Sequence, residues 1–248
     1  MWTRKRRRVL IESRLQITQA IVDLIARLVE KPKVLVSASA ITYYGVHGEK
    51  RLIESDKAGA TFQSKLCSTW EDTARQAERF GTRVCLLRLG VVLDHASGVL
   101  PKLMIPLKLR WHVVFGSGKQ WVSWIHVEDV AHLIAFAIDP DALRAPVNAT
   151  TSRPARHEGL MVDLAKRQHS LCRVKIPAAS VHLALGELSQ LLVDGQKIVP
   201  INAPALGFKF RFERLNRALD DLISKNTRQR PLEDDSVNTI LRRQHGPD

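Results

Sequence analysis

The sequence predicts an α/β protein built on a parallel sheet, with a smaller mixed α+β lobe in its second half. Two short apolar runs, residues 33–39 (KVLVSAS) and 83–89 (RVCLLRL), read as strands buried on both faces, which is how strands of a parallel sheet are composed. Between them Phe62, Leu66, Trp70, Ala74 and Ala77 recur every three or four residues, the stripe of an amphipathic helix. Strand, helix, strand in that order is a right-handed βαβ crossover.

Along the chain, Leu10, Ile11, Leu15, Ile21, Leu24 and Ile25 set a helical stripe over residues 9–29, and Pro32 marks its stop. The strand at 33–39 opens into a loop at Tyr43-Tyr44-Gly45. Gly81 is placed to end the central helix with a left-handed cap. Residues 99–109 predict a helix shortened or broken by Pro101 and Pro106. Strands are expected at 112–115 and 121–125, around the turn Gly116-Ser117-Gly118. Trp121 and Trp124 on the second of them are read as core packing. A helix follows over 127–138, with Glu128 and Asp129 in its first turn, where carboxylates complement the helix dipole. A short extended segment at 146–149 and helices over 155–168, 179–193 and 213–224 complete the fold. The natural division is a first lobe at 1–109, a second at 110–224 and a loose charged tail at 225–248.

Hydrophobic residues make up 45% and charged residues 25%, a globular rather than a disordered balance. No run of roughly eighteen residues is apolar and uncharged, so no membrane-spanning helix is expected. The basic run at the start gives way to Glu12 and Arg14 instead of an apolar signal core, which points to the cytoplasm. Cys67, Cys85 and Cys172 form no C-x-x-C pair, so neither a disulfide framework nor a metal site is expected. The net charge is +13, and Arg4, Lys5, Arg6, Arg7 and Arg8 concentrate five positive charges at one end. Neither zinc-finger spacing nor an aromatic-basic array accompanies them. A basic surface without a dedicated partner is the simpler reading, with non-specific nucleic-acid retention through that cluster as the rival.

A dinucleotide pyrophosphate needs glycines where the backbone approaches it at a helix N-terminus. The thirteen glycines form no G-x-G-x-x-G and no G-x-x-G-x-x-G. Gly45 and Gly48 are followed by Arg51 where a third would stand. Gly118-Lys119 imitates the end of a P-loop, but Val113 and Gln120 break it. Ser37, Ala38 and Ser39 nevertheless sit at the carboxyl end of a strand, where open α/β sheets bind ligands. Arg88 and Gly90 end the second strand and face the same cleft, although a structural ion pair explains a lone arginine equally well.

The segment Ser37 to Gly45 resembles the S-S-x-x-V-Y-G block of extended short-chain dehydrogenase/reductases. Further blocks follow in order: Cys67-x-x-Trp70-Glu71, Arg88-Leu89-Gly90-Val91-Val92-Leu93, Gly116-Ser117-Gly118-Lys119-Gln120, Trp124-Ile125-His126 and Pro146-Val147-Asn148. With Trp2, Ser13-Arg14 and Thr18 before them, they are similar to the sugar-nucleotide epimerase-like (YfcH-type) subgroup. Gly195-Gln196-Lys197, Pro200, Gly207-Phe208 and Ala218-Leu219 resemble that subgroup's small C-terminal domain.

The resemblance implies a partial Rossmann-like sheet, NADP or NAD at its switch point, and a C-terminal lobe for an unknown small-molecule substrate. It also implies that the first βα units and their glycine loop are missing, so no cofactor is expected to bind this chain alone. A homodimer is one way to cover the edge this would leave. Typical members of the wider family use Ser or Thr with Tyr-x-x-x-Lys as acid and base, whereas this subgroup tends to show the C-x-x-W-E form found here. No Y-x-x-x-K occurs here, and the resemblance puts Ala40, Cys67 and Glu71 at those positions. Cys67 is the one candidate acid/base, weakened because Glu71 would raise its pKa. In the G-x-G-x-x-R-D-F-I-H-V-x-D segment, the place of the diphosphate-binding arginine falls among Val122, Ser123 and Trp124. That loss argues against a nucleotide-sugar substrate. Gly116, Gly118, Gln120 and His126 are the substrate-lobe candidates. His126 and Asp129 are also spaced like metal ligands, but Asp129 is explained by its place in a helix's first turn. The expectation is an NAD(P)-linked epimerase- or oxidoreductase-like protein, inactive as written, with a non-catalytic basic binding module as the alternative.

Overall fold

The structure is a computed structural model that describes residues 3–139, 143–185 and 194–229. Helix α1 spans Arg4–Arg27 and starts earlier than the apolar stripe implies. The Thr3 hydroxyl accepts from the Arg6 amide at 3.2 Å, and the basic residues after it are good helix formers. Strand β1 (Val34–Ala40) runs into a single 3₁₀ turn at Ile41–Tyr44. A two-residue strand, β2 (Arg51–Leu52), precedes α2 (Phe62–Arg75), which Thr61 caps by accepting from the Ser64 amide. A 3₁₀ turn at Gln76–Phe80 then ends on Gly81, whose φ of 82° is the expected left-handed cap.

Strand β3 (Arg83–Leu89) pairs with β1 in parallel over its whole length, from Val34↔Arg83 to Ala40↔Leu89. The parallel pairing of the two strands on either side of α2 is as expected. The first half closes with β4 (Val91–Leu93) and α3 (Leu100–Lys108), which keeps Pro101 in its first turn and tolerates Pro106 near its end. Then come β5 (Trp111–Phe115), β6 (Trp121–Val122), β7 (Trp124–His126) and α4 (Val127–Ile138). Strand β8 (Val147–Ala149) returns to the main sheet beside β3, giving the order β1-β3-β8. The remainder is β9 (Ala155–Arg156), α5 (His157–Arg167), β10 (Cys172–Ile176), α6 (Ala178–Leu185), β11 (Lys197–Ile198), α7 (Asn202–Ala205) and α8 (Leu215–Gln229).

The main sheet is covered on both faces. Leu35, Val84 and Leu86 pack against Val22 and Ile25 of α1 and Ala74 of α2. On the other face Cys85 and Leu87 meet Leu133 and Ala137 of α4, with Phe208 and Phe210 beyond them. Arg83 holds the end of α4 by donating to the Ala137 carbonyl and to that of the C-cap Asp139, and also reaches the Leu143 carbonyl beyond the helix. A second core joins Leu93, Leu100, Trp124, Leu160, Leu164 and Leu219. Its members start before residue 109, so the chain crosses between the two cores more than once and no single break separates them.

Several elements depart from the expectation. The run 121–125 is two strands, because the Ser123 hydroxyl donates to the Gln196 carbonyl and accepts from the Ile198 amide, tying that residue to β11. Residues 155–156 pair with β6, so the helix begins at His157. Strand β10, parallel to β5, lies where no strand was expected. Helix α8 runs through Gln229, past the start expected for the tail. Residues 186–193 of the expected helix, residues 230–248 and Trp2 lie outside the described residues.

Candidate functional site

Strands β1 and β3 end side by side, with Ser39 in register with Arg88 and Ala40 with Leu89. Five polar side chains there, Ser39, Tyr44, Glu71, Arg88 and Asn148, are buried and spent on one another. Arg88 makes a bidentate pair with Glu71 of α2, Nε to Oε1 and Nη2 to Oε2, each 2.8 Å. Its Nη1 donates to the Tyr44 phenol at 2.9 Å and to the Glu54 carbonyl at 3.2 Å, and its plane stacks 3.5 Å from the Tyr43 ring centroid. Ser39 donates to Glu71 at 2.7 Å, and Tyr44 donates to Asn148 of β8 at 2.6 Å. Burial opposes the Arg88 charge, but Glu71 and Tyr44 outweigh it and hold the guanidinium above its ordinary range. Burial, against the pull of Arg88 and Asn148, pushes the Tyr44 phenol up to about 12.

Cys67 lies one turn before Glu71 on α2, buried, with its sulfur 3.4 Å from the Thr42 hydroxyl. Burial raises its pKa, and the Glu71 charge adds to the rise while Thr42 opposes it. A thiol held this way is neutral at ordinary pH, neither a nucleophile nor a base.

Beyond the ends of β1 and β3 lies a cavity of about 430 Å³. Ile41, Val46, Leu89, Val91, Trp121 and Val122 supply its apolar lining. Residues 194–196 close it. They sit there because Gly195 lies so tightly on Trp121 that a Cβ would strike the Trp121 backbone. Arg156 stands outside, stacked 3.6 Å from the Trp121 ring centroid and paired with Glu49. Arg156 and the Trp121 indole hold the Glu49 carboxyl down to about 2.

Residues 1–149 match the NAD dependent epimerase/dehydratase family. The chain belongs to that family. Residues 176–222 match a second family, described as Domain of unknown function (DUF1731). Epimerase family protein SAR0825 of Staphylococcus aureus is 36% identical over 90% of this chain and 75% of its own length. Epimerase family protein YfhF of Bacillus subtilis is 35% identical over 90% of this chain and 74% of its own. Among solved structures, human epimerase family protein SDR39U1 (isoform2) with NADPH superposes with a TM-score of 0.83 at 26% identity, over 89% of this chain and 75% of that one.

Against this family background the expected site residues separate. Ser39 and Arg88 stand in register near the ends of β1 and β3 and Gly90 follows β3 directly, while Ser37 and Ala38 lie nearer the middle of β1. Ala38 alone among the three on β1 is exposed. Ser39 and Arg88 are committed to Glu71, so the ion-pair reading of Arg88 is the one its geometry supports. Gly90 lines the cavity, yet its missing Cβ is already required by the Ser123 carbonyl, which it would approach to 2.5 Å.

Gly116, Gly118, Gln120 and His126 do not line the cavity. Gly116 and Gly118 shape the turn after β5 with positive φ, and Gln120 donates back to the Phe115 carbonyl. His126 is buried, stacked on Phe212, and its Nδ1 caps α4 by accepting from Glu128; burial lowers its pKa. Asp129 is more than a first-turn carboxylate. It accepts from the Arg211 and Phe212 amides and anchors that segment to α4. No cluster of His, Cys, Asp or Glu that could hold a metal ion occurs among the described residues, and none of the described helices is long and apolar enough to cross a membrane. Of the basic cluster, Arg7 stacks over Phe62 and Arg8 pairs with Glu12.

The residues present do not fit a dinucleotide pyrophosphate. The tightly packed glycines Gly59, Gly90 and Gly118 give their space to Tyr44, Ser123 and Glu158 of the chain itself. Sequence reasoning missed Gln63, Val46 and Asp194 as cavity residues. The signal for the last was Gly195-Gln196, noted only as part of a C-terminal pattern.

Proposed function

We propose that this polypeptide is an epimerase- or oxidoreductase-like small-molecule binding protein that does not turn over substrate as written. The observation that carries this reading is the Glu71–Arg88 pair. In the positions where typical members of the wider family hold a Tyr-x-x-x-Lys acid/base pair stand the buried Cys67 thiol, whose pKa burial raises, and a Glu71 carboxylate paired with Arg88. The thiol is bonded to Thr42 and both carboxylate oxygens are held by Arg88, with Ser39 on one of them, so neither group is offered as a base to a bound carbonyl. The Tyr44 phenol does not replace them, because it is buried and its hydroxyl is held between Arg88 and Asn148. What the site retains is binding: a preformed concavity at the strand ends, where α/β folds place their ligands. The NADPH in the SDR39U1 structure makes a nicotinamide cofactor the natural one for the family. For this chain, the missing glycine loop supports weak or no binding of it.

The test is calorimetric titration of the full chain with NADPH and NADH, followed by absorbance assays against aldehydes, ketones and UDP-glucose. No micromolar binding and no cofactor-dependent turnover are expected. Turnover that disappears in Cys67→Ala or Tyr44→Phe would overturn the proposal and name the acid/base.

A further inference from the structure

The cavity's walls say what kind of molecule it takes, an inference that rests on the reading of the site as a binding site. Its apolar surfaces come from Ile41, Val46, Leu89, Val91, Trp121 and Val122. Most of its polar side chains are already satisfied within the protein. Ser123 is held by Gln196 and Ile198, Thr61 by Ser64, Thr42 by Cys67, and the Gln196 amide donates to the Gly45 carbonyl. A ligand gains little from groups whose hydrogen bonds are made. The Gln63 amide is different. Gln63 is in the first turn of α2, lines the cavity, and makes no side-chain hydrogen bond to another described residue.

Charge decides the rest. Among the described residues no Arg, Lys or His lines the cavity, and its one ionisable side chain is Asp194. A diphosphate or other anion brought in there would lose its hydration, meet a carboxylate and find no cation. The cations beside that wall are already engaged: Arg156 and Lys197 both lie over the Trp121 ring, and Arg156 is also paired with both oxygens of Glu49. We infer that the cavity binds an uncharged, largely apolar small molecule, with a single carbonyl or hydroxyl read by the Gln63 amide, and rejects nucleotide sugars. A volume of about 430 Å³ suits a ligand of that size.

The probe is Nile red, a neutral apolar fluorophore, titrated into the full chain beside UDP-glucose. The expected result is saturable one-to-one enhancement of Nile red fluorescence that UDP-glucose does not displace. Val46 is half exposed at the rim, so Val46→Trp narrows the mouth without touching the core. It is expected to weaken the probe at least about tenfold with an unchanged melting temperature. A second variant, Val122→Arg, places a cation on the wall and is expected to weaken the probe and admit UDP-glucose. Displacement of the probe by UDP-glucose on the unmodified chain overturns the inference, as does an affinity for Nile red that Val46→Trp leaves unchanged, or no saturable binding at all. These outcomes are independent of turnover. Catalysis on a neutral ligand would overturn the proposed lack of activity and leave the ligand class standing, while UDP-glucose binding without turnover would do the reverse.

Discussion

Glu71 and Arg88 place two full charges where water scarcely reaches, and each is tolerable only because the other is present. Removing one leaves a buried charge with no counterion. Arg88→Met is therefore expected to cost about 3–5 kcal/mol, read by urea unfolding. The double variant Glu71→Met/Arg88→Met should recover part of that loss, because no isolated charge remains. Recovery will be incomplete, since Ser39, Tyr44 and the Glu54 carbonyl each lose a partner. A double variant as unstable as the single one would refute the ion-pair account. Two histidines add a pH dependence. Burial depresses the pKa values of His126 and His157 below their ordinary 6.5. Below that value the unfolded chain binds more protons than the folded one, so stability rises with pH there and is lost on acidification. Asp221, Glu128 and Asp129 around His126 favour its charge and Lys225 opposes it, and burial outweighs them. Melts at about pH 7.5 and about pH 5.5 should show a lower Tm at the acid value, before the carboxylates titrate. A flat or rising Tm would contradict the sign.

At the scale of elements, the most exposed liability is the carboxyl end of α4, which one side chain holds. Arg83 comes from β3 and donates to Ala137, to the C-cap Asp139 and to Leu143 beyond the helix. Arg83→Met should cost about 1–3 kcal/mol and speed amide exchange at the end of α4, with little change in α1. The same elements show why some of the fold was readable. Strand β3 and helix α4 match their expected bounds because local pattern and burial agree: an unbroken apolar run, and a stripe that opens with Glu128 and Asp129. Strand β10 was not legible because its Arg173 and Lys175 are exposed, so it lacks the apolar run that marks a buried strand. Strands β2 and β11 are two-residue pairings between distant segments, Arg51 with Lys197, which no local pattern encodes. The site divides in the same way. The strand-end residues and the Cys67 and Glu71 positions were visible because they lie on strong elements. Gln63, Val46 and Asp194 were not, because they become neighbours only when residues 194–196 fold onto Trp121.

For the whole molecule, the sheet order β1-β3-β8 leaves β1 at one end, and no described strand pairs with its outer edge. Ala38 is exposed in the middle of that strand, an unusual place for exposure in a parallel sheet. Beside it, α1 turns Val22 and Ile25 to the core but leaves Ile17 62%, Leu24 56% and Val29, just past its end, 98% exposed. An open strand edge flanked by an apolar helix face is a template for pairing with another chain. Each large side chain left in water forgoes roughly 1.5–3 kcal/mol of burial, and a domain holds only about 5–15 kcal/mol of net stability. A handful of such residues is therefore comparable to the whole margin. The chain by itself is expected to be marginally stable and to associate as its concentration rises. Light scattering coupled to size-exclusion chromatography across a concentration series measures this directly. Ile17→Lys and Leu24→Lys alter only exposed positions, so they should shift the protein toward monomer without lowering its Tm. A monomer at every concentration, melting cooperatively with ordinary stability, would mean that β1 needs no further cover and that the exposed face of α1 costs the fold nothing.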